Sequence, residues 1–128
     1  MKPNRTFTTA LALVATLLLT GVICWLTLTP QTFQTPPSAL PLDKVAHALA
    51  FGALIAPSAV LRPRYLWWTL PAAAALGFGI ELIQPWVGRS REWADAGADL
   101  VGLALGTVFG LMLRRFLKSR VFPDSPAD

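Results

Sequence analysis

FTTALALVATLLLTGVICWLTL, residues 7–28, decides the fold. It carries no charge, and a helix rising ~1.5 Å per residue needs ~20 such residues to cross a hydrocarbon core of ~30 Å. Outward from it, no charged residue occurs between Thr6 and Leu42. Over the whole chain 54% of residues are hydrophobic and 14% charged. A soluble domain averages ~45–50% and ~25%, so the composition points to a membrane protein. Lys2 and Arg5 precede the apolar run as they would in a signal peptide. The run exceeds the ~7–15 residues of such a segment, however, and no A-x-A site follows it, so the first span is expected to stay attached. Ile23 is too bulky to precede a lipoprotein cysteine at Cys24. That lone cysteine also excludes an intrachain disulfide and a cysteine-based zinc site.

Three further spans follow. TPQTFQTPPSALP, residues 29–41, holds four prolines and cannot continue a helix, so it reads as a loop. The second span covers about 44–61, with Pro57 tolerated as membrane helices tolerate proline. The basic turn RPRY leads to a third span over about 66–84, closed by Pro85, and a fourth covers about 93–116. The expected fold is therefore all-α: an integral membrane bundle of four transmembrane helices, one domain over residues 1–120. The tail 121–128 lacks apolar periodicity and is expected to be disordered. Tyr65, Trp67 and Trp68 at one level and Trp86 at the other suit the aromatic belts of a bilayer.

The net charge of +4 comes from basic clusters between apolar runs, not from a basic face, so it argues against nucleic acid and for topology. Lys2, Arg5, Arg62, Arg64, Arg114, Arg115, Lys118 and Arg120 fall on one side of the expected bundle, leaving Lys44, Arg89 and Arg91 for the other. The positive-inside rule then places both termini in the cytoplasm, N-in and C-in.

The remaining polar residues gather at the opposite, extracytoplasmic ends of spans two, three and four. Asp43 and His47 stand four apart, Glu81 and Gln84 three apart, Asp95 and Asp99 four apart, so each pair shares a helix face. Glu81 is the deepest acid of its span, and an ionisable group inside a span costs at least ~2.5–3.5 kcal/mol unless paired or hydrated. Arg89, Lys44 and His47 are its candidate partners. A carboxyl that can hold or release a proton beside a histidine suits general acid and base work, which makes His47, Glu81 and Asp95 the candidate catalytic residues. Asp43, Lys44, Gln84, Arg89 and Asp99 are the candidate ligand-binding residues. The bland alternative is a salt-bridge network that glues helices together. Gly102, Gly106 and Gly110 repeat every fourth residue, a stripe for close helix packing, with Asp95 and Asp99 continuing it toward the outer end. Gly77, Glu81 and Gln84 form a similar track on span three, so a packed pair of spans three and four would aim Glu81 at the aspartates.

DKVAHALAFGAL (residues 43–54) and GIELIQPWVGRSREWADAGADLVGLALG (79–106) resemble the VanZ-like family of small bacterial membrane proteins. Asp43, Lys44 and His47 match its D-K-x-x-H opening, Glu81 and Gln84 its E-x-x-Q helix end, Gly88 and Arg89 its G-R turn, and Asp95 its helix start. Asp99 stands where that pattern commonly has Asn. The resemblance covers residues 42–112. It implies a multi-pass protein of the bacterial cytoplasmic membrane, related to a glycopeptide-resistance accessory linked to reduced teicoplanin susceptibility, and no settled reaction.

The expected function is a polar site, facing outward, that binds or alters a cell-envelope lipid or lipid-linked precursor. Arg89 and Lys44 would hold its anionic head group. Whether it is an enzyme stays open, because no Walker loop, H-E-x-x-H or Ser-His-Asp order marks a reaction class. No cofactor and no resident metal are expected. A divalent metal or proton site on His47, Glu81, Asp95 and Asp99 is one alternative, although no spacing is diagnostic for it. A structural protein acting on a membrane partner or as a homo-oligomer is the other.

Overall fold

The computed structural model describes residues 4–30 and 42–121. The described residues are helical throughout their regular structure: α1 (Arg5–Leu28), α2 (Leu42–Leu61), α3 (Leu66–Ile83) and α4 (Trp93–Val121), with 3-10 turns at Pro63–Tyr65 and Gln84–Val87. All four helices are long and apolar enough to cross a membrane. Most of the proline-rich loop expected at 29–41, and the tail from 122 onward, lie outside the described residues.

Local chemistry sets the helix ends. Asn4 caps α1, its side-chain oxygen accepting the Phe7 N–H at 2.7 Å, which satisfies one of the free donors of a first turn. The last carbonyls of α2, those of Val60 and Leu61, accept from Arg114 of α4 at 2.9 and 3.3 Å. One expected boundary holds and one shifts. The α-helix of the third span ends at Ile83, immediately before Gln84 and Pro85. The chain runs on as a separate 3-10 turn through Val87, whose first turn accepts proline because the missing N–H there has no partner to lose. Gly88 then reverses it at φ 78, a left-handed value that favours glycine. At the other end α4 continues past residue 116 to Val121, since no helix breaker precedes Pro123.

Much of the apolar side-chain surface faces outward. Leu17, Leu105 and Phe109 are 69%, 64% and 67% exposed, with Trp25, Leu49 and Met112 beside them in the same class. Water would penalise a hull of that kind, whereas lipid does not.

The interior is organised by the tight contact of α2 with α4. These two helices run parallel, Ala48 opposite Gly102, Gly52 opposite Gly106 and Ala59 opposite Gly110. A Cβ on Gly106 would sit 2.5 Å from the Gly52 carbonyl oxygen and 2.6 Å from its Cα, and one on Gly102 would collide with the Ala48 carbonyl. The glycine stripe thus serves α2. The contact between α3 and α4 is made elsewhere, where Gly77 leaves room for Asp99: a Cβ there would lie 2.7 Å from Asp99 Oδ2. Phe51, Leu54 and Ile55 of α2, Ala73 and Ile80 of α3, Leu103 of α4 and Ile23 of α1 form the apolar core below.

Candidate functional site

Both parallel helices start at the same end of the bundle, where α1 and α3 finish, and the polar residues meet there. His47 of α2 and Asp99 of α4 are buried and bonded, Nδ1 lying 2.9 Å from Asp99 Oδ1. With an ionised carboxylate, which only accepts, the donor in this contact is Nδ1–H, and the tautomer of the ring follows from that pairing. The other ring nitrogen, Nε2, faces Asp95 Oδ2 at 3.7 Å, beyond hydrogen-bond length. Lys44 bridges the rim, its ammonium 2.9 Å from Asp95 Oδ1 and 2.6 Å from Glu92 Oε2. Asp43, His47 and Asp95 each bring one donor atom to within 4.8 Å of the others.

Some of these charges have an ordinary explanation. Asp43 and Asp95 lie in the first turns of α2 and α4, where the partial positive charge of a helix N-terminus stabilises a carboxylate. Lys44 and Glu92 are partly exposed, and a pair of that kind contributes ~0–1 kcal/mol. Glu81 and Asp99 are different. Asp99 is a full turn deeper than Asp95 and only 2% exposed. Glu81 has no exposed surface and sits near the C-terminus of α3, the end of a helix that disfavours a negative charge. Its Oε2 accepts the Glu92 backbone N–H at 2.9 Å. Its Oε1, like Asp99 Oδ2, is buried with no hydrogen-bond partner. Buried polar atoms are bonded in the great majority of cases, so each exception calls for an explanation.

The sequence-derived candidates therefore divide. Asp43, Lys44, His47, Asp95 and Asp99 come together, with the carboxyl of Glu81 tied to the same rim through Glu92. Gln84 and Arg89 do not face that group. Gln84 Nε2 donates to the Thr27 carbonyl at 3.4 Å and Arg89 Nη1 to the Leu26 carbonyl at 3.4 Å. Both thereby cover free carbonyls at the end of α1, groups that a helix cannot satisfy internally. Glu81 bonds to none of the three side chains expected as its partners. A backbone donor at Glu92 serves it instead, and Arg91 Nε reaches its carbonyl at 3.1 Å while the guanidinium stands 5.7 Å from the Trp93 ring centre. Neither contact has a spacing rule that would reveal it in advance.

The chain matches no protein-family model, no curated protein and no solved structure. Chemically, the arrangement offers a histidine held in one tautomer by a carboxylate, with its second nitrogen directed to the rim and further acids around it. That is a geometry suited to accepting, holding or passing a proton, or to donating a lone pair.

Proposed function

We propose that this chain is a multi-pass protein of a bacterial cytoplasmic membrane, related to the VanZ-like family, whose polar rim binds or acts on the head group of a cell-envelope lipid or lipid-linked precursor. The observation that carries the reading is the fully buried Glu81 carboxyl, with one oxygen lacking a partner, in the same rim as the His47–Asp99 pair. Such a group inside a span is costly and marks a site by default. The basic residues of the opposite end, including Arg62, Arg64, Arg114 and Arg115, support an N-in, C-in orientation with the rim outward. In that setting Asp99 fixes the His47 ring so that Nε2 presents its lone pair to the rim, and Asp95 and Glu81 respond to the charge of the head group. The exposed Trp86 and Trp93 beside the rim suit the interface at which a lipid head group lies.

A second reading, helix cement without chemistry, is favoured by the Lys44 bridge to Asp95 and by Gln84 and Arg89 docking α1. One complementation experiment separates the two. In a deletion strain, His47→Ala and Glu81→Gln are compared with the parent for abundance, membrane insertion and teicoplanin sensitivity. Variants that accumulate and insert normally but do not restore the parent phenotype support the site. Variants that vanish from the membrane, or that complement fully, support cement.

A further inference from the structure

We infer that the rim holds one divalent transition-metal ion, of the zinc or manganese class, on Asp43, His47 and Asp95. Three side chains from two helices bring their donor atoms within 4.8 Å of one another. His47 is already set for the task. Its Nδ1 is occupied by Asp99 at 2.9 Å, which leaves Nε2 as the lone pair, and a carboxylate on the far nitrogen is how ligating histidines are usually oriented. Nε2 and Asp95 Oδ2 stand 3.7 Å apart. Two donors at ~2.0–2.2 Å from a single ion are separated by ~3.4 Å at a tetrahedral angle and by ~4.2 Å when opposed, so one ion spans that gap. Lys44 forms an ion pair with the other oxygen of Asp95, Oδ1, at 2.9 Å, so the Oδ2 side that faces His47 is not occupied by the lysine.

Charge gives an independent argument. Four carboxylates, Asp43, Glu81, Asp95 and Asp99, surround one histidine, and the lysine among them is shared with a fifth, Glu92. Arg89 and Arg91 direct their hydrogen bonds to backbone carbonyls. Two carboxylate oxygens, Glu81 Oε1 and Asp99 Oδ2, belong to residues 0% and 2% exposed and have no partner. A cation bound at the rim compensates the negative charge that these carboxyls carry when ionised. One imidazole with two carboxylates suits zinc or manganese better than the all-oxygen sets that hold calcium or magnesium. Asp43 is exposed, so the ion has a route in, and three protein ligands leave a coordination position open. A phosphate oxygen of an anionic head group fits that position; this step alone rests on the lipid reading above. It also explains how so acidic a rim could meet an anion.

The test uses the full chain, purified in detergent, stripped with a chelator and titrated with zinc or manganese chloride. Metal content after gel filtration and the thermal midpoint are read together. The expected result is about one equivalent of one of the two ions and a midpoint raised by several degrees, since a ligand binding only the folded state stabilises it. Asp43→Asn changes an exposed residue and should stay folded, yet lose at least ~10-fold in affinity; Asp99→Asn, which orients the ligand, should lose ~10–100-fold. A parent that retains neither ion overturns the inference, as does an Asp43→Asn protein that binds like the parent. Should the parent bind metal while His47→Ala still complements fully in cells, the ion site stands and the lipid reading falls.

Discussion

The carboxyl of Glu81, on α3, accepts the backbone N–H of Glu92, immediately before α4, at 2.9 Å. The donor belongs to the main chain, so the contact depends on the path of the turn and not on the side chain at position 92. Together with the Gly88 reversal it ties the end of α3 to the start of α4, and it is the Glu81 carboxyl's hydrogen bond among the described residues.

Replacing Glu92 by alanine should therefore change stability little, within ~1 kcal/mol, because the lost Lys44 bridge is partly exposed. Proline at the same position removes the N–H and leaves a buried carboxyl without a donor, at a cost of ~1–3 kcal/mol or more. Thermal midpoints of the two variants in detergent give the comparison. Equal midpoints would mean that the 2.9 Å bond does not form.

Gly102 and Gly21 provide a matched pair. Alanine at Gly102 would drive its methyl into the Ala48 carbonyl, whereas at Gly21 it meets nothing within 4 Å. Gly102→Ala should lose ~1–3 kcal/mol through overpacking, and more where backbone cannot yield; Gly21→Ala should be neutral or gain up to ~1 kcal/mol from helix propensity. Membrane abundance and thermal midpoint decide. A Gly102→Ala protein as stable as the parent would refute the backbone contact between α2 and α4.

Orientation is read by single cysteines in a Cys24→Ala background. Ser90 and Arg64 are both exposed and lie at opposite ends of the bundle. With the rim outward, a cysteine at 90 should react with an impermeant maleimide added to intact spheroplasts, and one at 64 only after lysis. The reverse pattern would place the rim in the cytoplasm.

The four helices were legible because an uncharged run of the necessary length has few other readings, and the meeting of Asp43, His47, Asp95 and Asp99 followed from i, i+4 spacing at one end of each span. What stayed hidden depends on tertiary docking. Gln84 and Glu81 share a helix face by count, yet one end of that face meets α1 and the other the rim, so Gln84 turns to the Thr27 carbonyl. The periodicity of one helix says nothing about which neighbour it will meet. The glycine stripe likewise announced a close approach without naming α2 as the partner.

Because α2 and α4 touch main chain to main chain, the spacing between His47 and Asp99 is a property of two abutting helical backbones. Substitutions on the lipid-facing hull can drift without retuning it. The third wall of the rim is built differently, with α3 meeting Asp99 across the gap left by Gly77 and joined to α4 by the turn that carries Arg89 and Arg91. Changes in the shape of the rim would thus run through α3 and that turn, while the histidine–aspartate gauge stays constant.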